Sequence, residues 1–125
     1  MRITLRKILS ALIFLPTIIQ SQNFHYGSCY YPEQVSHEQV RQDAILMKEA
    51  GFNVARMGDF AWYEMESEPG IYTFDWLKNA VNTLAEQGIE SILCTPTAAI
   101  PKWMYDKHPD IMQVTADGRK KPYGK

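Results

Sequence analysis

The sequence predicts an α/β fold in which three parallel β-strands alternate with two helices. Runs at 24–31, 53–58 and 89–94 have the length and the β-branched, aromatic or apolar composition of strands. Between them lie two segments in which apolar residues recur at helical spacing, and each segment ends at a glycine. A chain with this order folds through right-handed crossovers into a parallel sheet.

The composition is that of an ordinary globular domain. The chain has 125 residues, of which 46% are hydrophobic and 22% are charged, so it can form one modest domain with its own core. Its net charge of -1 leaves no basic field of the kind that binds nucleic acid. We therefore expect no nucleic-acid partner.

The N-terminus has the plan of a secretory signal peptide. Arg2, Arg6 and Lys7 precede a mostly apolar run at 8–19 and a polar exit at 20–22. The apolar run is shorter than the ~20 residues of a membrane-spanning helix; an uncleaved membrane anchor is the alternative. We predict a signal peptide at 1–22, a mature chain at 23–125, a secreted or periplasmic location, and membrane contact only through the export signal.

Cys29 and Cys94 are the two cysteines, and they fall on the first and third predicted strands. Export makes a disulfide possible. However, the Cα atoms of a disulfide lie within ~7 Å of each other, whereas strands one apart in a sheet are separated by ~9–10 Å. We predict two free, buried thiols, with the disulfide as the alternative, and two cysteines alone do not form a zinc site.

The first helix has recognisable start and stop signals. Ser36 and Gln39 have the spacing of a capping box, and Gly51 is expected in the left-handed conformation that ends a helix. The apolar residues between them, which predict the buried stripe, are Val40, Ala44, Leu46, Met47 and Ala50.

The second strand, at 53–58, carries an arginine among apolar residues. Alternation places Val54, Arg56 and Gly58 on one face, and Ala55 and Met57 on the other. Its carboxyl end is where α/β folds bind ligands, so the residues that follow are candidates for a site.

The 59–72 segment after this strand is predicted to be an irregular loop. It begins with Asp59, Phe60 and Trp62, and then carries the carboxylates of Glu64, Glu66 and Glu68 before a Pro69–Gly70 turn. The Asp or Asn ligands and the bend glycine of a calcium loop are missing. We interpret the glutamates as a solvated acidic loop.

The remaining elements complete the alternation. Asp75 is the expected cap of the second helix, which ends at Gly88. After the third strand, Pro101 is expected in the first turn of a short helix that carries Trp103. Asp117–Gly118 is a hairpin-turn signal.

Two architectures fit this order: a doubly wound sheet and a TIM (β/α)8 barrel. The nucleotide-binding Gly-x-Gly-x-x-Gly pattern is absent after the first strand. Irregular loops at strand ends favour a barrel, whose chemistry lies in such loops. A barrel has eight strands in about 250 residues, so this chain would supply its N-terminal βαβαβ portion, about three strands.

Five segments share their pattern with one family. They are YYPEQV at 30–35, DAILMKEAGFNVARMGDFAW at 43–62, EPGIYTFDWL at 68–77, TPTAAIPKWM at 95–104 and DGRKKPYG at 117–124. Together they resemble glycoside hydrolase family 42, a family of β-galactosidases, from Tyr26 onward. Val35, where the family commonly has tryptophan, and the leader peptide depart from its pattern.

The resemblance implies a TIM barrel that hydrolyses terminal β-galactosides with retention, through a general acid/base glutamate and a nucleophile glutamate. In the family the acid/base follows the fourth strand in an Asn-Glu pair, and the nucleophile follows the seventh. No Asn-Glu pair occurs in this chain, so both are expected beyond Lys125, as is a substrate-binding arginine. Glu33, Glu64, Glu66 and Glu68 therefore receive no catalytic role, and no cofactor or metal is expected.

Four residues are candidates for supporting positions in such a site. Asp59, Trp62 and Trp103 would lie at the barrel mouth and contact substrate, with burial in the core as the alternative for the aromatic rings. Arg56 would either orient a catalytic carboxylate by a bidentate bond or form an ordinary internal salt bridge.

We therefore interpret the chain as an N-terminal fragment of a β-galactosidase. The fragment would be inactive and would fold poorly alone, because three strands leave an open edge. Its substrate would be a galactoside or oligosaccharide, and the full-length form could be a homo-oligomer. The alternatives are a barrel glycosidase of another specificity, such as an arabinosidase or a family 35-like hydrolase, and a small exported sugar-binding protein without catalysis.

Overall fold

The structure is a computed structural model that describes residues 24–124, so the predicted signal peptide at 1–22 lies outside the described residues. In chain order the elements are β1 (Gly27–Cys29), a 3-10 helix (Pro32–Gln34), α1 (His37–Glu49), β2 (Val54–Met57), α2 (Trp62–Met65), β3 (Glu66–Glu68), β4 (Ile71–Tyr72), α3 (Asp75–Glu86), β5 (Glu90–Leu93), α4 (Lys102–Lys107) and a second 3-10 helix (Pro109–Ile111). None of these helices has the length and apolarity needed to cross a membrane.

The main sheet contains β1, β2 and β5 in that spatial order, and both strand pairs are parallel. Gly27 lies opposite Val54, and Arg56 lies opposite Cys29 on one side and Ile92 on the other. The predicted strand–helix–strand–helix–strand order with a parallel sheet is confirmed. Each strand is shorter than predicted, although flanking residues still bond across the sheet: the Tyr30 N–H donates to the Arg56 carbonyl at 2.8 Å and the Cys94 N–H donates to the Met57 carbonyl at 2.9 Å.

Helices α1 and α3 pack against each other and against one face of this sheet. The best-buried residues of the core are at most 2% exposed, and they are Val40, Ala44, Ala55, Met57, Ala61, Ala80, Leu84 and Ile89. Removal of this apolar surface from water is the main stabilising contribution that the described residues make. The helical periodicity therefore predicts Val40 and Ala44 of α1 correctly as core, but Leu46, which is 60% exposed, and Ala50, which is also exposed, are wrong members of the predicted stripe.

The signals at the ends of α1 act as predicted. The Ser36 hydroxyl oxygen accepts a hydrogen bond from the Gln39 backbone N–H at 3.2 Å, which satisfies one of the unpaired donors of the first turn. Gly51 follows the helix with φ at +84°, a conformation that glycine adopts without steric cost.

The opposite face of the main sheet is covered by no helix among residues 24–124. The alternation in β2 holds, since Ala55 and Met57 join the core while Arg56 lies on the uncovered face. Ile92 of β5 is 48% exposed on the same face. This face is therefore open to any further part of the protein that packs on it.

The 59–72 segment is more ordered than predicted. Instead of an irregular loop it contains α2 and an antiparallel β3–β4 hairpin, closed by the predicted Pro69–Gly70 turn with Gly70 at a φ of +81°. The interpretation as a wholly solvated acidic loop is wrong for Glu66, which is only 8% exposed. Its carboxylate lies inside the hairpin because two N–H groups bind it there.

Three predicted boundaries shift by one residue. Phe74, not Asp75, precedes α3, and no side chain caps this helix; instead the Phe74 ring stacks on Tyr72, with centroids 6.0 Å apart. Pro101 precedes α4 with an extended backbone rather than lying in its first turn. Cys94 lies one residue beyond β5 rather than within it.

Candidate functional site

The carboxyl end of β2 holds an arginine and an aspartate in one ion pair. Gly58, with φ at +93°, turns the chain out of the strand. Arg56 Nη1 then lies 2.5 Å from Asp59 Oδ2, and Arg56 Nη2 lies 2.5 Å from Asp59 Oδ1. The aspartate is 6% exposed, whereas nearly half of the arginine side chain is exposed. This bidentate geometry fixes both the position and the plane of the guanidinium.

Two thiols flank the ion pair. Cys29 Sγ lies 3.7 Å from Arg56 Nη1, and this hydrogen bond, together with the charge of Asp59, raises the pKa of the arginine further. Burial and a hydrogen bond with Asp59 raise the pKa of the Cys94 thiol. Both cysteines are free, as predicted, but the predicted burial is wrong: Cys29 is exposed and Cys94 is half-buried, because Cys29 lies opposite Arg56 on the face of the sheet that no helix among residues 24–124 covers. They lie on the two strands that flank β2, or just beyond them, which is too far apart for a disulfide.

Three indole N–H groups converge on the segment 64–66. Trp62 Nε1 donates to Glu66 Oε2 at 2.9 Å, and Trp103 Nε1 donates to the backbone carbonyl of Glu66, also at 2.9 Å. Trp76 Nε1 donates to the backbone carbonyl of Glu64 at 3.2 Å. These are all the tryptophans of the chain. Trp62 and Trp103 both remain partly exposed, so each keeps accessible ring surface.

Both oxygens of the Glu66 carboxylate accept a hydrogen bond. Its Oε1 accepts a hydrogen bond from the Gly70 backbone N–H at 2.8 Å, and its Oε2 accepts the Trp62 indole. These two donors hold the pKa of Glu66 below its usual range, because hydrogen bonds to the ionised form favour it. Glu66 is therefore a charged acceptor at neutral pH, with no proton to donate.

Glu33, in the 3-10 helix after β1, is a second enclosed carboxylate. Both of its oxygens are buried and accept no hydrogen bond from a described residue. Burial, and the nearby negative charges of Glu64 and Asp59, raise the pKa of this carboxyl. Enclosure among like charges therefore favours its neutral form.

Comparisons with known proteins show which family the chain belongs to. The family model described as Beta-galactosidase, of glycoside hydrolase family 42, matches residues 29–125. The chain belongs to glycoside hydrolase family 42. This confirms the family that the sequence motifs indicate.

The family 42 chain is similar to curated β-galactosidases over most of its own length. It is 45% identical over 98 residues to a β-galactosidase of Thermus thermophilus, which covers 78% of this chain and 15% of the relative. It is 37% identical over 111 residues to β-galactosidase BglY of Alicyclobacillus acidocaldarius, covering 87% of this chain and 16% of the relative. The chain thus spans about 15% of the length of the curated relatives that it matches.

Solved family 42 structures contain the same α/β arrangement. The β-galactosidase of the haloarchaeon Halorubrum lacusprofundi matches with a TM-score of 0.76 at 37% identity, over 82% of this chain and 15% of that one. The β-galactosidase of Bacillus circulans sp. alkalophilus matches with a TM-score of 0.75 at 34% identity, over 81% and 15%. The described residues are therefore a partial α/β structure that matches a portion of these enzymes.

Within this family 42 chain, the predicted site residues fall into two groups. Arg56 and Asp59 form the ion pair, and Trp62 and Trp103 are both held by Glu66. The salt bridge that is one alternative for Arg56 is present; a role in orienting a catalytic carboxylate stays a prediction. No group of three or more His, Cys, Asp and Glu side chains that could hold a metal ion occurs among residues 24–124.

Sequence reasoning missed the enclosed carboxylates of Glu66 and Glu33. A signal for Glu66 exists, since Trp62 and Glu66 are four residues apart, a spacing that brings side chains together on a helical turn. No such signal exists for Glu33, because the burial of a residue in a short connection depends on which distant segments pack over it.

Proposed function

We propose that this chain is the N-terminal part of the catalytic barrel of an exported, retaining β-galactosidase. One observation carries the proposal: in a family 42 chain, the loop at the carboxyl end of β2 holds the Arg56–Asp59 pair and the anchored Trp62. The carboxyl ends of parallel strands are where TIM-barrel enzymes build their active sites. The curated relatives are named β-galactosidases, which supplies the substrate class.

Uncovered apolar surface beside β5 supports the continuation of the barrel. A groove between α3 and β5 is lined by Phe74, Leu77, Val81 and Leu93, and Leu93 is 56% exposed. In a TIM barrel the next strand pairs with such an edge strand, and the next helix packs beside the preceding one. The groove has the position and the apolar character that such a helix requires.

The carboxylates of Asp59 and Glu66, nearest the proposed sugar-binding tryptophans, are occupied in ways that suit binding rather than bond cleavage. Asp59 is paired with Arg56, and both oxygens of Glu66 accept hydrogen bonds. A retaining glycosidase uses two carboxyl groups about 5–5.5 Å apart, one protonated and one free to attack. We therefore assign both catalytic glutamates to the protein beyond Lys125, and residues 1–125 alone are expected to be inactive.

The role of the described residues is then to hold the sugar. The exposed ring surfaces of Trp62 and Trp103 can stack on the apolar face of galactose, and Asp59 can accept hydrogen bonds from its hydroxyl groups. Arg56 neutralises Asp59 and keeps it in place. The segment 1–22 directs export, which would place the reaction outside the cytoplasm.

The first experiment is the intact mass of the native gene product, followed by assay of a chromogenic β-galactoside and NMR of the first sugar anomer released. We expect a mass several times 14.4 kDa, hydrolysis, and a β-anomer, as retention requires. A product just below 14.4 kDa that does not cleave galactosides would overturn the proposal. Hydrolysis of arabinosides instead of galactosides would retain the barrel and change the substrate.

A further inference from the structure

We propose that Glu66 is a positioning residue that fixes the two tryptophans of the sugar-binding site, Trp62 through its carboxylate and Trp103 through its backbone carbonyl. The inference rests on the proposed function, because it explains how that site keeps its shape.

The geometry makes Glu66 the common acceptor of both rings. An indole has a single donor and no acceptor, and both Trp62 and Trp103 direct that donor to this one residue, each at 2.9 Å. Trp62 lies in α2 and Trp103 lies in α4, two elements that are distant in the sequence. Glu66 therefore couples the loop after β2 to the loop after β5.

The carboxylate also fixes the backbone carbonyl that Trp103 uses. Glu66 Oε1 accepts the Gly70 N–H across the hairpin turn, and Glu66 pairs with Tyr72 in the β3–β4 ladder. Loss of the carboxylate would free the turn and shift the carbonyl. The effect of a substitution at Glu66 should consequently reach both rings.

A purely structural role would not need this arrangement. The side chains of the neighbouring glutamates, Glu64 and Glu68, are exposed, whereas that of Glu66 accepts the Trp62 indole and the Gly70 N–H. Glu66 alone is enclosed, and both ring partners line the mouth where substrate is proposed to bind. Since Glu66 is only 8% exposed and each of its oxygens already accepts a hydrogen bond, we assign its effect on sugar binding to the two tryptophans.

The test compares Glu66→Ala, Glu66→Gln and the matched control Glu68→Gln in the full-length native gene product. Glu66→Ala should raise KM for a chromogenic β-galactoside about tenfold with little change in kcat, the signature of lost uniform binding. Glu66→Gln keeps one acceptor oxygen and should give an intermediate KM. Glu68→Gln should behave as the wild type. A loss of stability with KM unchanged would overturn the proposal.

A double-mutant cycle keeps the test sharp if Glu66→Ala is unstable. Trp62→Phe keeps an aromatic ring but removes the N–H donor. If Glu66 acts through Trp62, then Glu66→Gln should raise KM less in the Trp62→Phe background than in the wild type. Equal effects in both backgrounds would refute the coupling.

A readout independent of catalysis separates this inference from the proposed function. The indole N–H resonances of Trp62 and Trp103 should shift and exchange faster with solvent in Glu66→Gln, whereas that of Trp76 should change less. Unchanged resonances would overturn the positioning role, even in an active enzyme. If the resonances shift but the protein neither binds nor cleaves a galactoside, the proposed function fails while the anchoring of the rings stands.

Discussion

The Arg56–Asp59 pair shows how strongly two partners can differ in exposure. Asp59 is enclosed, while Arg56 extends along the uncovered face of the sheet. An exposed ion pair contributes little to stability, but a buried charge that loses its partner is strongly destabilising. The stability of this site therefore depends on the arginine, because Asp59 is only 6% exposed and has little water to replace its partner.

We expect Arg56→Ala to lower the denaturation midpoint of the native gene product clearly, since Asp59 would remain enclosed without its partner. Arg41→Ala is the matched control, because Arg41 contacts Glu38 at 3.7 Å with both side chains well exposed. Its effect should be within about 0.5 kcal/mol of zero. Equal effects of the two substitutions in urea denaturation would contradict this account.

Glu33 predicts a pH dependence of defined sign. The pKa of Glu33 is raised in the folded state. Between its unfolded and folded pKa values, the folded protein therefore binds more protons than the unfolded protein. The stability of the fold consequently falls as the pH rises through that window. Glu33→Gln should therefore become more stable relative to the wild type as the pH increases above about 4.3. Glu49→Gln, at an exposed position, is the control. A stability difference between Glu33→Gln and the wild type that does not change with pH would contradict the enclosure of Glu33.

At the scale of elements, the contact between β1 and β2 depends on one glycine. A Cβ atom at Gly27 would lie 1.7 Å from the Val54 carbonyl oxygen and 3.0 Å from Val54 Cγ1. Real Cβ atoms do not approach this closely, so any side chain would force the two strands apart. Pairing of the first strand thus requires the absence of a side chain at this position.

Gly27→Ala should cost about 3 kcal/mol or more in the free energy of unfolding, because the clash involves backbone that cannot move alone. Amide hydrogen exchange in β1 and β2 should accelerate at the same time. Ser28→Ala, at the exposed neighbouring position in β1, should change stability by about 0.5 kcal/mol at most. Unchanged exchange in Gly27→Ala would show that the strands tolerate the added atom.

The elements differ in how far the sequence predicts them, and the difference has a physical basis. The main sheet and its two large helices are predictable because periodicity, caps and terminal glycines are local signals. The β3–β4 hairpin was missed because its strands have three and two residues, too few for an alternation to be recognised. The Glu66 carboxylate stabilises the hairpin by accepting hydrogen bonds from Gly70 in the turn and from Trp62. The start of α3 likewise lacks a capping side chain, because Phe74 precedes the helix and its ring stacks on Tyr72.

At the scale of the whole molecule, exposure in residues 24–124 need not persist in the full-length protein. Leu93 and Leu46 are 56% and 60% exposed, yet Leu93 lines the groove beside β5, whereas Leu46 lies on α1. The strand and helix that would follow β5 add beside β5 and α3 and cover Leu93, whereas Leu46 lies away from that groove. The two leucines are thus a matched pair for testing the continuation.

We expect Leu93→Ala to destabilise the full-length gene product by about 2–5 kcal/mol, the range for a buried leucine. Leu46→Ala should change its stability by about 0.5 kcal/mol at most. Denaturant unfolding of both variants provides the measurement. Small and equal effects would mean that nothing in the protein covers the groove.

Because three indoles converge on residues 64–66, tryptophan fluorescence reports on the structure around this segment. Neither β1 nor α1 contains a tryptophan, so within residues 24–124 the tryptophan fluorescence comes from the loops that follow β2 and β5, together with the start of α3. Far-UV circular dichroism, in contrast, is dominated by α1 and α3. In any chain shorter than the full-length protein, unfolding curves from fluorescence and from circular dichroism that do not coincide would show whether the loops at the carboxyl end of the sheet unfold before or after the helices.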